Sequence, residues 1–259
     1  MTNDTYPSPA KQRKDEWERI GDDNSLAYHT QQWNNVKQST IAFERFCAAE
    51  LASSQHVIDL GAGAGAATAF IAGKHPTVGF TAFDYSAELT RTGAEIAKSK
   101  GMANLSFQQG DWYELQATRQ FDGVISLQTL SWLPNFEDPL DQVFRNLRPK
   151  WVAVSSLFYD GEISCQIEVN QHVRERKFFY NIYAIPVVQR FCAARGYELV
   201  KSTPFEIDID IEKPADPNTM GTYTERVWNA DNRGTQRLQR SGPLLMPWYM
   251  LLFRRHAND

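Results

Sequence analysis

One stretch limits the fold more than any other: His56-Val57-Ile58-Asp59-Leu60-Gly61-Ala62-Gly63-Ala64-Gly65-Ala66. His56 to Leu60 is a short apolar run of the kind that forms a buried strand. Gly61 to Gly65 is too glycine-rich for regular structure, and the small residues Ala66 to Ala72 read as helix. A strand, a glycine turn and a helix gather backbone N–H groups at one spot. Glycine, lacking a Cβ, lets a ligand approach them closely. Gly61, Gly63 and Ala66 satisfy the G-x-G-x-x-G/A dinucleotide fingerprint, and Asp84 lies about twenty residues on, where a ribose-binding acid belongs. NAD(P) is therefore one ligand the turn predicts. Asp59 argues for another. A carboxylate two residues before the first glycine repels a pyrophosphate and holds a cation, and S-adenosylmethionine carries a sulfonium and an ammonium but no phosphate.

The rest of the chain alternates strands with helices. Ile41, Phe43, Phe46, Cys47 and Leu51 recur at helical spacing, with Ser39 or Thr40 as the expected cap and an end near Ser53. Val78 to Phe83 predicts a strand ending in Asp84. Ser86 caps a helix through Lys100 that Gly101 terminates. Leu105 to Gln108, Phe121 to Leu127 and Trp151 to Leu157 predict three more strands, with Pro139 near the start of a helix to Leu147. This rhythm implies an α/β fold with a Rossmann-like parallel sheet, right-handed crossovers and ligands at the carboxyl ends of the strands. A helix over Pro186 to Arg195, a sixth strand over Tyr197 to Val200 with an extension over Phe205 to Ile211, and a last strand over Trp248 to Phe253 complete the expectation. The expected division is 1–38 as tail and lid, carrying Trp17, Tyr28 and Trp33; 39–158 as cofactor core; 159–190 as inserted cap; and 191–259 as the remainder of the α/β domain.

Composition narrows the partners. The 259 residues carry 27 Lys+Arg and 31 Asp+Glu, a net charge of −4, with no basic stripe, so no nucleic-acid partner is expected. No apolar run approaches the ~20 residues that span a bilayer, and Met1 to Lys14 is polar, so the reading is a cytoplasmic protein with no membrane partner. Cys47, Cys165 and Cys192 lack a CxxC pattern and read as reduced filler, with no metal site. A homodimer stays open.

The stretch Asp59-Leu60-Gly61-Ala62-Gly63-Ala64-Gly65 resembles the first motif of the class I S-adenosylmethionine-dependent methyltransferases, and the likeness runs from about Ser39 to the carboxyl end. The resemblance implies a seven-stranded sheet whose last strand inserts antiparallel. It implies S-adenosyl-L-methionine bound at Asp59, Gly61, Ala62, Gly63 and Gly65, with Asp84, followed by Tyr85, on the ribose. Asp111 would read the adenine amino group, Trp112 would cover the ring and Gln128 would line the cofactor. The proline-glycine-glycine turn often found before the fifth strand is replaced by Arg148-Pro149-Lys150-Trp151.

Methyl transfer from a sulfonium is an in-line displacement in which the protein aligns, desolvates and sometimes supplies a base. His172, whose imidazole titrates near neutrality, and Asp160, just past the fifth strand, are the candidate catalytic groups. Trp132, Tyr159, Tyr180 and Tyr183 are the candidate acceptor residues, with Phe178 and Phe179 in the same aromatic cluster. Glu206, Asp208, Asp210 and Glu212 alternate with isoleucines, as on one face of a strand. They read as a solvated face answered by arginines, or else as a hard-cation site. Arg174, Arg176 and Lys177 would either answer those acids or hold an anionic acceptor. Ser126-Leu127-Gln128-Thr129 does not resemble the Asn/Asp-Pro-Pro-Tyr/Phe signature of amide and nucleobase methyltransferases, which favours a small-molecule acceptor, with a sugar or polysaccharide precursor as one class. Two other readings stay open: an NAD(P) oxidoreductase, and a silent S-adenosylmethionine-binding module.

Overall fold

The computed structural model describes residues 23–116, 119–218, 220–231 and 233–256. Residues 1–22 of the predicted tail and lid, Trp17 among them, lie outside the described residues. Helices α1 (Asp23–Gln31), α2 (Gln38–Phe46) and α3 (Ala48–Ala52) lead into β1 (His56–Leu60), α4 (Ala66–Lys74), β2 (Gly79–Asp84), α5 (Ala87–Ser99), β3 (Leu105–Gln109) and β4 (Gly123–Leu127). Then follow α6 (Glu137–Gln142), continued by a π-helical turn over Val143–Leu147, and β5 (Trp151–Tyr159). A hairpin of β6 (Glu168–Gln171) and β7 (Arg176–Phe179), the short β8 (Tyr183–Ala184), α7 (Ile185–Ala193) and β9 (Tyr197–Pro204) come next. The chain ends with β10 (Thr222–Asn229), β11 (Gly234–Ser241), β12 (Leu244–Leu245) and β13 (Trp248–Arg255).

The main sheet runs β3-β2-β1-β4-β5-β13-β9, with β8 pairing the end of β5. Strands β1 to β5 are parallel to their neighbours, while β13 inserts antiparallel between β5 and β9. The antiparallel insertion of the last strand is the predicted ending. Successive side chains of a strand face opposite sides, and the core sorts accordingly. Ile58, Leu60, Val124, Val152, Val154, Leu251 and Phe253 pack on one side. Val57, Ile125, Ala153, Met250 and Leu252 join Phe43, Leu51 and Ile71 on the other. Both faces are covered, which is why these strands read as unbroken apolar runs. Among the described residues no helix is long and apolar enough to cross a membrane.

Ser86 accepts from the Leu89 N–H and caps α5, as its sequence predicts. The expected single helix over residues 39 to 53 is instead split at Cys47, whose φ of −108° and ψ of 15° leave the helical region. Its start is capped by neither Ser39 nor Thr40: Lys37 takes the N-cap position with no side-chain bond.

The carboxyl third departs furthest from expectation. Residues 205–211 are not a strand, because β13 begins at Trp248, opposite Leu157, and its ladder with β9 ends at the pair Tyr249 and Pro204. The acids there share no strand face. Asp210 is gripped by Arg226 of β10 and by Arg237 of β11 at 2.7 Å, which holds its carboxyl well below the usual carboxylate range. Glu206 accepts from Gln236 at 3.0 Å. The arginine answer is therefore found, but from an unforeseen sheet of β10, β11 and β12. Lys177 pairs with Glu168, its neighbour across the β6–β7 hairpin.

Candidate functional site

The carboxyl ends of β1, β2, β3 and β4 lie along one edge of the sheet, and the glycine turn caps the first of them. The N–H groups of Gly61 and Ala62 donate to the Phe83 carbonyl at 2.9 and 3.0 Å, tying the turn to β2. Gly61 has φ 76°, and a Cβ there would lie 2.4 Å from Thr129 Cγ2, so only glycine lets the loop after β4 close over the turn. Thr129 completes that closure by donating to the Gly61 carbonyl at 3.1 Å. Ser126 donates to the Leu60 carbonyl at 2.8 Å and locks β4 to β1 just beneath.

Two acids are built into this turn. Asp59 shares the strand face of Val57 and points under α4, where Thr68 donates to its Oδ2 at 2.6 Å. Its Oδ1 is buried without a hydrogen-bond partner, and the residue is 1% exposed. Burial, with the Asp84 charge as a lesser contributor and the Thr68 bond opposing, raises its pKa from the ordinary 3.8 to about 7. Asp84, at the end of β2, accepts from the Gly63 N–H at 2.6 Å through Oδ2 and from the Ser86 N–H at 2.9 Å through Oδ1. Burial also raises its pKa, against those two bonds. Neither acid meets a cation among the described residues. A carboxylate offers about four acceptor positions, so Asp84 keeps one on each oxygen for further donors.

The remaining predicted cofactor residues separate into two groups. Asp111 follows β3 and accepts from the Tyr113 N–H at 2.8 Å, capping a short 3-10 turn. Gln128 follows β4 at φ 59°, its N–H fixed to the Ser155 carbonyl at 2.7 Å. Tyr85 sits between Asp84 and the α5 cap, and Gly65 opens α4 at φ 74°. Trp112 does not cover a groove. Its ring is 6% exposed in the core beside Leu115, Leu140 and Phe144, and its Nε1 donates to the Pro139 carbonyl at 2.9 Å. An apolar ring with one donor is best satisfied there.

Of the predicted acceptor residues, Trp132 lies 4.6 Å from Tyr180 and 5.3 Å from Phe178 between ring centroids, so the three rings form one aromatic cluster. Tyr180 is buried, which raises its pKa, and its hydroxyl lies 3.5 Å from Ser241 Oγ. Tyr183 is a correction: it is 3% exposed in the core, packed edge-on to Phe136, and donates to the Leu133 carbonyl at 3.2 Å. Tyr159 is the last residue of β5 and 45% exposed, with Asp160 exposed beside it. His172 lies in the turn joining β6 to β7 and is exposed, so the hairpin carries it outward, and among the described residues no side chain pairs with it. Phe179 is half-buried on β7. The side chains of Arg174 and Arg176 lie outside the described residues.

Sequence reasoning missed what stands over the turn. His29 of α1 fills the space above Gly63: a Cβ on that glycine would come within 2.7 Å of the imidazole. Burial and then the Lys37 charge lower its pKa from 6.5 to about 4, so the ring is neutral. Trp33 donates from Nε1 to the Ala64 carbonyl at 3.0 Å. Lys37 donates to the Tyr28 hydroxyl at 2.9 Å and to Gln128 Oε1 at 3.3 Å. The aromatic residues Tyr28 and Trp33 were the one visible signal of this cover.

The residues fit a cationic nucleoside: an orphaned buried acceptor at Asp59, spare acceptor positions at Asp84, and glycines where a Cβ would intrude. Among the described residues no cation pairs with either acid, so their charge stands against a pyrophosphate at the turn.

Comparison with known proteins agrees. A family model described as a methyltransferase domain matches residues 51–212. The release factor glutamine methyltransferase of Xylella fastidiosa is 37% identical over 75 residues, covering 29% of this chain and 27% of that one. The trans-aconitate 2-methyltransferase of Deinococcus radiodurans is 37% identical over 94 residues, covering 36% and 34%. The chain thus spans about a third or less of the length of these two relatives. The fold is similar to that of the O-methyltransferase from the trans-AT PKS multienzyme of Brevibacillus brevis, in complex with S-adenosyl-L-homocysteine, with a TM-score of 0.53 at 14% identity over 78% of this chain and 63% of that one. The family match covers more than half of the 259 residues, and the chain belongs to the methyltransferase-domain family, in its class I, S-adenosylmethionine-dependent group.

Proposed function

We propose that this protein transfers a methyl group from S-adenosyl-L-methionine to a hydroxyl or amine of a small molecule. The observation that carries the reading is Asp59 Oδ1, a buried acceptor without a partner directly beneath the glycine turn. A buried polar atom left unpaired costs roughly 1–3 kcal/mol, and a ligand ammonium would relieve it. Asp59 holds the amino group in this reading, directly or through a water. Asp84 takes the ribose hydroxyls on its spare acceptor positions, Asp111 the adenine amino group, and the Gly61–Gly65 backbone the close approach.

When bound, the cofactor supplies a methyl already activated on sulfonium. The chain's own work is then alignment and exclusion of water. Residues 23–38 close the groove from above, through His29 and Trp33, and the insertion 159–190 contributes Phe178 and Tyr180 to the acceptor wall. Tyr159 and Asp160, at the end of β5, are the candidate groups nearest the reaction edge, with Asp160 the candidate base if the nucleophile is a hydroxyl.

A small acceptor is supported by Ser126-Leu127-Gln128-Thr129, which lacks the Asn/Asp-Pro-Pro-Tyr/Phe signature of amide and nucleobase methyltransferases, and by the aromatic cluster, which suits a sugar face or a planar ring. Incubating the protein with methyl-labelled cofactor and a cell extract tests this. Label is expected in a dialysable compound that chromatography separates from the cofactor and that a protein-free control lacks; label transferred only to protein or nucleic acid contradicts a small acceptor.

A further inference from the structure

Lys37 is held differently from Lys150 and Lys177. Lys150 pairs with Asp122 and Lys177 with Glu168, both at the surface. Lys37 is half-buried, and its partners are uncharged: the Tyr28 hydroxyl at 2.9 Å and Gln128 Oε1 at 3.3 Å, with the ammonium 5.2 Å from the Tyr28 ring centroid. Among the described residues no carboxylate pairs with it. An ammonium has three donors, and neutral acceptors occupy two.

The bracing is itself fixed. Gln128 donates from Nε2 to Ser39 Oγ at 3.2 Å while its carbonyl oxygen faces Lys37, and its backbone is pinned to β5 through the Ser155 carbonyl. Three segments therefore converge on one cation: α1 through Tyr28, the start of α2 through Lys37 and Ser39, and the end of β4 through Gln128. The acids Asp59, Asp84 and Asp111 stand at the ends of β1, β2 and β3. The site is thus polarised, negative over those three strands and positive over β4. A ligand that carries a cation at one end and an anion at the other matches that gradient.

We propose that Lys37, braced by Tyr28 and Gln128, docks a carboxylate at the β4 end of the site, borne either by the aminoacyl arm of the cofactor or by the acceptor. The proposal rests on the methyltransferase reading and deepens it. Charge-assisted bonds from a fixed ammonium to a carboxylate are among the stronger polar contacts, and here no reorganisation of the brace is needed to form one.

Isothermal titration separates the two sources. S-Adenosylhomocysteine carries the carboxylate; 5′-methylthioadenosine has the same nucleoside without the aminoacyl arm. Both are titrated into wild type, Lys37→Gln, Lys37→Met and Lys37→Arg, and citrate is titrated into each protein saturated with S-adenosylhomocysteine. Binding of S-adenosylhomocysteine to wild type tests the methyltransferase reading by itself. If the cofactor arm is the source, Lys37→Gln weakens S-adenosylhomocysteine about tenfold or more, leaves 5′-methylthioadenosine unchanged, and Lys37→Arg restores most of the loss. If the acceptor is the source, S-adenosylhomocysteine binds all four proteins alike, while citrate binds wild type saturably and the uncharged variants at least tenfold more weakly. Lys37→Met keeps the aliphatic stem, and thermal unfolding confirms that each variant is folded. Equal affinities of wild type and both uncharged variants for S-adenosylhomocysteine and citrate, or equal S-adenosylhomocysteine affinities with no citrate binding, overturn the proposal.

Discussion

The imidazole of His29 occupies the space that a side chain on Gly63 would need, so a helix from before the sheet and the turn inside it fit only because residue 63 has no Cβ. Gly63 also has φ 57°, a left-handed backbone that costs an ordinary residue about 1–2 kcal/mol. Gly63→Ala is therefore expected to lower the melting temperature and to loosen α1, read as faster amide exchange over residues 23–31. Adding His29→Ala removes the collision but not the backbone strain, so only part of the loss should return. Full recovery in the double variant would show that the backbone cost is absent.

His29 also makes the cover sensitive to pH. Its pKa is lowered in the docked helix, from 6.5 to about 4. Docking strength from this group is complete above pH 6.5 and falls away as pH drops toward 4, because the free imidazole gains a proton that the docked one refuses. Amide exchange in α1, corrected for its intrinsic pH dependence, should be faster at pH 5 than at pH 7.5. His29→Gln should remove most of that difference. A wild-type α1 equally protected at both values would contradict the neutral buried ring.

Asp59 works in the opposite direction. Its folded pKa is raised from 3.8 to about 7, so the stability it contributes is present below pH 3.8 and is lost as pH rises through 7. Asp59→Asn keeps an acceptor for Thr68 and removes the buried charge. Without ligand, the variant should gain melting temperature over wild type at pH 7.5 and show little gain at pH 4. A gain of the same size at both pH values would place the charge elsewhere.

The sequence made much of this legible, for a physical reason. Strands covered on both faces leave unbroken apolar runs, so β1, β2, β4, β5 and β13 announced themselves, and the turn from Gly61 to Gly65 marked the ligand edge. The hairpins β6–β7 and β10–β11 are polar and half-exposed, so their pairing left no such run. Trp112 and Tyr183 are rings with one polar atom each, and whether such a ring faces a ligand or a backbone carbonyl is decided by tertiary packing. The contacts of His29 with Gly63 and of Lys37 with Gln128 join residues far apart in the chain, and no local pattern encodes them.

Asp84 does two jobs that one substitution can separate. Its bonds to Gly63 and Ser86 hold the turn, and its spare acceptor positions are assigned to the ribose. Asp84→Ala should weaken S-adenosylhomocysteine about tenfold or more, on the order of 1.4 kcal/mol, and should lower the melting temperature as well. Unchanged affinity would refute the ribose assignment even if stability fell.

The central claim is that the acids beside this turn select a cationic nucleoside over a pyrophosphate. Isothermal titration of S-adenosylmethionine and of NADH into the same wild-type protein tests it most directly. The account predicts saturable one-site binding of S-adenosylmethionine and no heat of binding with NADH. Saturable NADH binding, with none by S-adenosylmethionine, would contradict it.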